Sequence, residues 1–136
     1  MRRHLDFGDY SARCTLPDGS VYSLESCCCI ERKYAIDELV QCFTRDRIRF
    51  RNEFERARAA NAKLYLLVEM ASWEKLYAGM YRSKASPQSI VGSLASWQSR
   101  YNFQILFCMP GTTGRLIYDV LFHELRERLK TSQEPL

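Results

Sequence analysis

Residues 9–16 alternate in polarity. Asp9, Ser11, Arg13 and Thr15 are polar, while Tyr10, Ala12, Cys14 and Leu16 are apolar. A period of two is the pattern of a half-buried strand. The turn sequence Pro17-Asp18-Gly19-Ser20 follows, in which proline presets φ and glycine takes the left-handed position. Residues 21–33 alternate again, with Tyr22, Leu24, Cys28 and Ile30 on one face and Ser23, Glu25, Glu31 and Lys33 on the other. The two runs predict a long N-terminal β-hairpin.

Helical spacing then takes over. A helix is expected over about 34–43, with Asp37 and Glu38 in a first turn that favours acids. A second is expected over about 46–60, with Phe50, Phe54 and Ala57 as its inner stripe. Residues 63–69 are nearly all apolar, the mark of a short strand buried on both faces. A short helix is expected near 72–78, then a loop around 81–86. Ser86 and Pro87 open a further helix with the stripe Ile90, Leu94, Trp97 and Tyr101. Residues 104–108 form another short buried strand, and Thr112 or Thr113 caps a last helix with Leu116, Val120 and Leu129 on its stripe. Buried strands alternating with helices predict an α/β sheet covered by helices, with the hairpin at its start.

A chain of 136 residues supports one domain. Charged residues make up 26% with both signs well mixed, which excludes a disordered tail. No apolar run approaches the ~20 residues of a membrane helix. The start, Met-Arg-Arg-His-Leu-Asp, lacks the apolar stretch of a signal peptide. A soluble, cytoplasmic protein with no membrane partner is therefore expected. The formal charge of +4 permits an acidic partner such as nucleic acid without requiring one. The six cysteines, Cys14, Cys27, Cys28, Cys29, Cys42 and Cys108, lack zinc-site spacings, and only His4 and His123 could add imidazole. They are expected to be free, mostly buried thiols.

The chemistry concentrates in Glu31-Arg32-Lys33-Tyr34-Ala35-Ile36-Asp37. On a strand, Glu31 and Lys33 share a face, the same polar face that carries Asp9. Two carboxylates from neighbouring strands can hold a hard divalent cation. A lysine beside it can orient water or stabilise charge developing on a phosphate. The competing reading is that Glu31 and Lys33 mark the wet face of a two-sided sheet.

Gly8-Asp9-Tyr10 followed by Glu31-Arg32-Lys33-x-x-x-Asp37 resembles the GD…ERKxxxD signature of the XPF-type nuclease domain family. The similarity extends over residues 5–125, through the arginines and Glu53 of the second helix, Leu66-Leu67-Val68-Glu69, and the helix opened by Ser86-Pro87. The resemblance implies a restriction-endonuclease-like fold, a central mixed β-sheet flanked by helices. It implies a Mg2+- or Mn2+-dependent endonuclease acting on branched, flap or junction DNA in repair or recombination, with no organic cofactor. By matching positions, Asp9 and Glu31 would be metal ligands and Lys33 the catalytic lysine. Arg32 would lie near the substrate backbone or hold the site, and Asp37 would support Lys33 or the metal shell. Glu69 is a weaker candidate, for site support or a helix cap. Pairing of two such domains is also implied, through the last helix and the helix bearing Trp97.

One nuclease domain is expected over residues 1–136, without a helix-hairpin-helix module. Only seven residues precede Gly8, so the family's first strand, with its Asp-x-Arg-Glu-like element, is expected to be missing. A stand-alone phage or bacterial form fits this layout, cytoplasmic there and nuclear in a eukaryote. A catalytically inactive module binding DNA or a partner subunit is the main alternative. A redox or zinc protein built on residues 27–29 fails the ligand-spacing argument.

Counting tests the metal reading. A hairpin closed by residues 17–19 sets Leu16 opposite Ser20, hence Asp9 opposite Cys27. Glu31 would then lie about 13 Å further along, too far to share an ion. A bulge or bend is required, and residues 27–29 are its expected place. Arg45, Arg47, Arg49 and Arg51 open the second helix at spacings of two. They spread around it, as candidates for DNA phosphate contacts or as a solvated surface. Arg82 and Lys84 are further candidates. Trp73 and Trp97 are expected to pack, and His123 has no assigned role.

Overall fold

The computed structural model describes Leu5 and residues 7–133, so His4 lies outside the described residues. Two short antiparallel strands, β1 (Arg13–Thr15) and β2 (Val21–Ser23), form the hairpin. They are followed by β3 (Cys28–Lys33), α1 (Ile36–Cys42), α2 (Arg47–Ala59), β4 (Lys63–Glu69), α3 (Trp73–Tyr77), α4 (Pro87–Arg100), β5 (Phe103–Cys108) and α5 (Thr113–Gln133). Strands β3, β4 and β5 make a three-stranded parallel sheet in that order, with Glu31 beside Leu66 and Leu66 beside Ile105. The expected mixed sheet is thus parallel across its named strands. Among the described residues, antiparallel pairing reaches it through one bridge, Tyr10 to Ile30.

Strand alternation divides the core in two. Central β4 sends Leu64, Leu66 and Val68 to one face, where they pack with Phe50 and Phe54 of α2 and with Leu94 and Trp97 of α4. It sends Leu67 to the other face, where Cys28, Ile30 and Leu24 meet Leu121 of α5. A parallel sheet must be covered on both sides, which is why residues 64–68 are apolar throughout. Edge strand β5 departs from expectation, since Gln104 is exposed and residues 105–108 are only half-buried. An edge strand lacks a neighbour on one side.

Aromatic rings fix the helix pair over the first face. Phe54 lies within 4.8–5.4 Å of the ring centroids of Phe50, Trp97, Tyr101 and Phe103. Trp97 is a packing residue, and Trp73 packs edge-on against Phe107 at 5.6 Å. Helix α4 starts as its sequence predicts, with the Ser86 hydroxyl accepting from the Ser89 amide and Pro87 in the first turn. Helix α5 does not. A 3-10 turn over Pro110–Thr112 leads straight into it, and Thr113 has helical dihedrals (φ −56°, ψ −51°). Its buried hydroxyl is turned to Cys108 and Glu69. Leu116 and Val120 are half-buried against the second cluster, and Leu129 is half-buried. Among the described residues no helix is long and apolar enough to cross a membrane.

Because Phe54 is 1% exposed at the centre of this ring cluster, Phe54→Ala is expected to cost about 3–5 kcal/mol. Urea denaturation of the two proteins measures it.

Candidate active site

The hairpin register settles where Asp9 stands. Strands β1 and β2 keep the expected pairing, Arg13 with Ser23 and Thr15 with Val21. The pairing then breaks. Residues 25–27 form a turn, in which the Cys27 and Cys28 amides donate to the Leu24 carbonyl at 2.9 and 2.8 Å. When pairing resumes, Tyr10 bridges Ile30, with Ile30 N–H donating to Tyr10 C=O at 2.8 Å and Tyr10 N–H returning to Ile30 C=O at 3.0 Å. The same register sets Asp9 across from Glu31. The break overlaps the expected stretch at Cys27 and begins two residues earlier. It also shortens the long predicted hairpin to two three-residue strands.

Gly8 makes the approach possible. Its φ is +78°, and a Cβ there would lie 2.7 Å from the Cys29 Cβ, closer than two carbons can pack. The Asp9 carboxylate is held by its own neighbours, Oδ2 accepting from the Arg32 amide at 2.8 Å.

Glu31 and Lys33 are far from a wet sheet face. They lie under α1 and α2, at the carboxyl end of β3, in an open cavity also lined by Asp9, Tyr10, Cys42, Asp46 and Glu53. Glu31 is 8% exposed. Lys33 Nζ is 3.2 Å from Glu31 Oε1 and 5.5 Å from the Phe50 ring centroid. Burial, reinforced by the nearby Glu53 and Asp9 carboxylates, pushes the Glu31 pKa up to about 8 against the pull of Lys33. Burial opposes the Lys33 charge, but the Cys42 sulfur and the Glu31 and Glu53 carboxylates outweigh it and hold the ammonium above its ordinary value.

Arg32 points to the opposite face of β3. Its Nε donates to Glu69 Oε1 at 2.8 Å, with Nη2 also 2.8 Å from that oxygen, and Nη1 donates to the Tyr10 hydroxyl at 3.1 Å. The guanidinium sits 4.4 Å from the Tyr34 ring centroid. Glu69 is 2% exposed and is kept ionised first by Arg32, with help from the Thr113 hydroxyl. It buttresses Arg32 and is no helix cap. Asp37 is not brought to Lys33. Its Oδ1 accepts from the Arg82 amide at 2.8 Å and ties down the loop before α4, because the first turn of α1 faces that loop.

The four arginines divide. Arg49 lines the cavity and lies 3.3 Å from Asp46. Arg47 lies over Trp97 and donates to the Ser93 hydroxyl at 3.0 Å, joining α2 to α4. Arg45 and Arg51 are exposed, as are Arg82, Lys84 and His123. His123 packs edge-on against Phe122 at 5.2 Å on α5. The residue passed over as a site candidate is Glu53, whose Oε1 accepts from the Gly8 amide at 2.8 Å. Its position beside the Phe50–Phe54 stripe was the available signal.

Among the described residues no group of three His, Cys, Asp or Glu side chains is arranged to hold a metal ion. All six cysteines are free, and burial raises the Cys28, Cys29 and Cys42 pKa values to about 12, 11 and 11.

A parallel sheet flanked by helices, with an acid–lysine cluster at the carboxyl end of its first strand, is compatible with a nuclease-like fold. The chain belongs to the ERCC4 domain family, whose model matches residues 1–120, and which is the XPF-type nuclease domain family. The family generally comprises nucleases of DNA repair. Comparison with curated proteins found no match, and comparison with solved structures found none.

The unfolded chain releases a glutamate proton near pH 4.5, whereas the folded protein keeps that of Glu31 up to about pH 8. The folded state binds more protons in between, so stability without metal is expected to fall as pH rises from 4.5 to 8. Melting temperature against pH checks this, and Glu31→Gln flattens the decline.

Proposed function

We propose that this protein is a divalent-metal-dependent DNA endonuclease with a restriction-endonuclease-like architecture, cutting branched, flap or junction DNA in repair or recombination. The observation that carries the reading is the meeting of Asp9, Glu31 and Lys33, produced by the register break at 25–27. The donor set fits Mg2+ or Mn2+. It offers hard carboxylate oxygens, crowded enough that Glu31 holds its proton, and a cation would relieve that crowding in the proton's place. Asp9 and Glu31 would hold the ion, which when bound supplies Lewis-acid polarisation of a phosphodiester and a more acidic bound water.

The chain's own residues do the rest. Lys33, fixed between Glu31 and the Phe50 ring, orients the attacking water and stabilises charge developing on the phosphate. The Arg32 amide fixes Asp9, and its side chain braces Tyr10 against Glu69. Asp37 acts at one remove, by holding the Arg82 loop. Exposed Arg49 at the cavity, with exposed Arg45 and Arg51, makes non-specific phosphate contacts, whereas Arg47 serves packing first. Pairing with a second copy would use α5, where Tyr118 and Phe122 are exposed and stacked. The face of α4 bearing Trp97 is already buried within the core.

The absence of a three-ligand group among the described residues favours a second reading, an inactive module that binds DNA or a partner subunit. Calorimetric titration with Mn2+ separates the two, since an inactive module shows no binding that depends on Asp9 and Glu31. The proposed enzyme cuts a panel of flap, fork, junction and linear DNAs in Mg2+ or Mn2+. Lys33→Ala is expected to lower the rate about 100-fold or more with the fold intact, and an unchanged rate would refute the assignment. Replacing Arg45, Arg49 and Arg51 by alanine weakens binding and makes it less salt-dependent, by about one unit of log–log slope per lost phosphate contact.

A further inference from the structure

We propose that Glu53 is a positioning residue of this site, a carboxylate on α2 that ties down the Gly8–Asp9 turn and so sets where Asp9 stands at the cavity. The proposal rests on the nuclease reading above.

Glu53 bridges two segments far apart in sequence. Its Oε1 accepts from the Gly8 amide at 2.8 Å, across 45 residues. Its carboxylate also lies near enough to Glu31 to help raise that residue's pKa. Gly8 immediately precedes Asp9, so the Glu53 bond acts on the backbone that carries Asp9. The anchor is stiff at the other end. Phe50 and Phe54 lie on the buried stripe of α2, 4% and 1% exposed, and fix its rotation. Glu53, one residue before Phe54, is thereby directed at the cavity.

Composition of the helix supports the placement. Helix α2 carries Arg47, Arg49, Arg51, Arg56 and Arg58 against only Glu53 and Glu55. Both acids have partners off the helix, Glu55 the Tyr101 hydroxyl and Glu53 the Gly8 amide. A direct ligand role fits less well. One Glu53 oxygen is committed to a backbone amide, and no three acids among the described residues form a cage.

The role makes an unusual demand on substitution. The amide of Glu53→Gln keeps the Gly8 bond, because its oxygen accepts from Gly8 N–H. Glu53→Ala loses it. Calorimetric Mn2+ titration of the full chain is expected to show Glu53→Ala binding about 10–100-fold more weakly than the parent, with Glu53→Gln restored to the parent's level. Amide hydrogen exchange supplies a readout without metal, in which Gly8 N–H loses protection in Glu53→Ala and keeps it in Glu53→Gln.

Two results overturn the proposal. One is a Glu53→Ala protein with the parent's Mn2+ affinity and Gly8 protection. The other is a Glu53→Gln protein that keeps Gly8 protection yet loses Mn2+ affinity, which makes Glu53 a ligand instead. If the parent itself binds no Mn2+ and cuts no DNA, the nuclease reading fails. Gly8 exchange in the two variants then decides by itself whether Glu53 ties the turn.

Discussion

The carboxyl end of β3 depends on the backbone pairing of Tyr10 with Ile30. Two hydrogen bonds, 2.8 and 3.0 Å long, join these residues, and the Asp9 amide adds a third to the same Ile30 carbonyl at 2.7 Å. They hold the segment at residues 8–10 against the sheet after the turn at 25–27 has absorbed the four residues separating one register from the other. Without the turn, continued pairing would put Asp9 beside Cys27. A side-chain period of two explains the need for an even offset, because a slip of one residue would send Asp9 to the opposite face from Glu31.

The two faces of β3 then divide the work. Glu31 and Lys33 face α1 and α2, where helix cover takes the acid out of water and raises its pKa. Arg32 faces the α5 side, where Glu69 and Tyr10 satisfy it and Thr113 supports Glu69. Three consecutive residues therefore reach two environments, one electrostatically crowded and one closely paired. The paired side braces the crowded one. Arg32 gives its amide to Asp9 and its guanidinium to Glu69, so the strand end is fixed from both directions.

Much of this was legible in the chain itself. The apolar runs at 63–69 and near 104–108, the stripes of Phe50, Phe54 and Ala57 and of Ile90, Leu94 and Trp97, and the Ser86-Pro87 start are each local patterns that the fold realises. So is the turn at 17–20, where Gly19 has φ +87°. The motif placed Asp9, Glu31 and Lys33 together, and counting showed that a break was required. The pattern did not reveal that Thr113 serves Glu69, that Asp37 serves the Arg82 loop, or that Glu53 enters the cavity. Each of those bonds joins residues more than 40 positions apart, and local periodicity carries no information at that range.

The sequence by itself determined the elements, the sheet's burial on both faces and the acid–lysine motif, because propensity and period act between near neighbours. The tertiary structure alone decided the register at Asp9 and the partner of each charged side chain. Register depends on where a turn can absorb extra residues beneath packed helices. A charge takes the partner that lies nearest once the helices are docked. The 27–29 cysteines illustrate both levels. Their type predicted free, mostly buried thiols, and Cys28 and Cys29 are buried with Cys27 half-buried, while the fold made the chain just before and into them the hinge of the site.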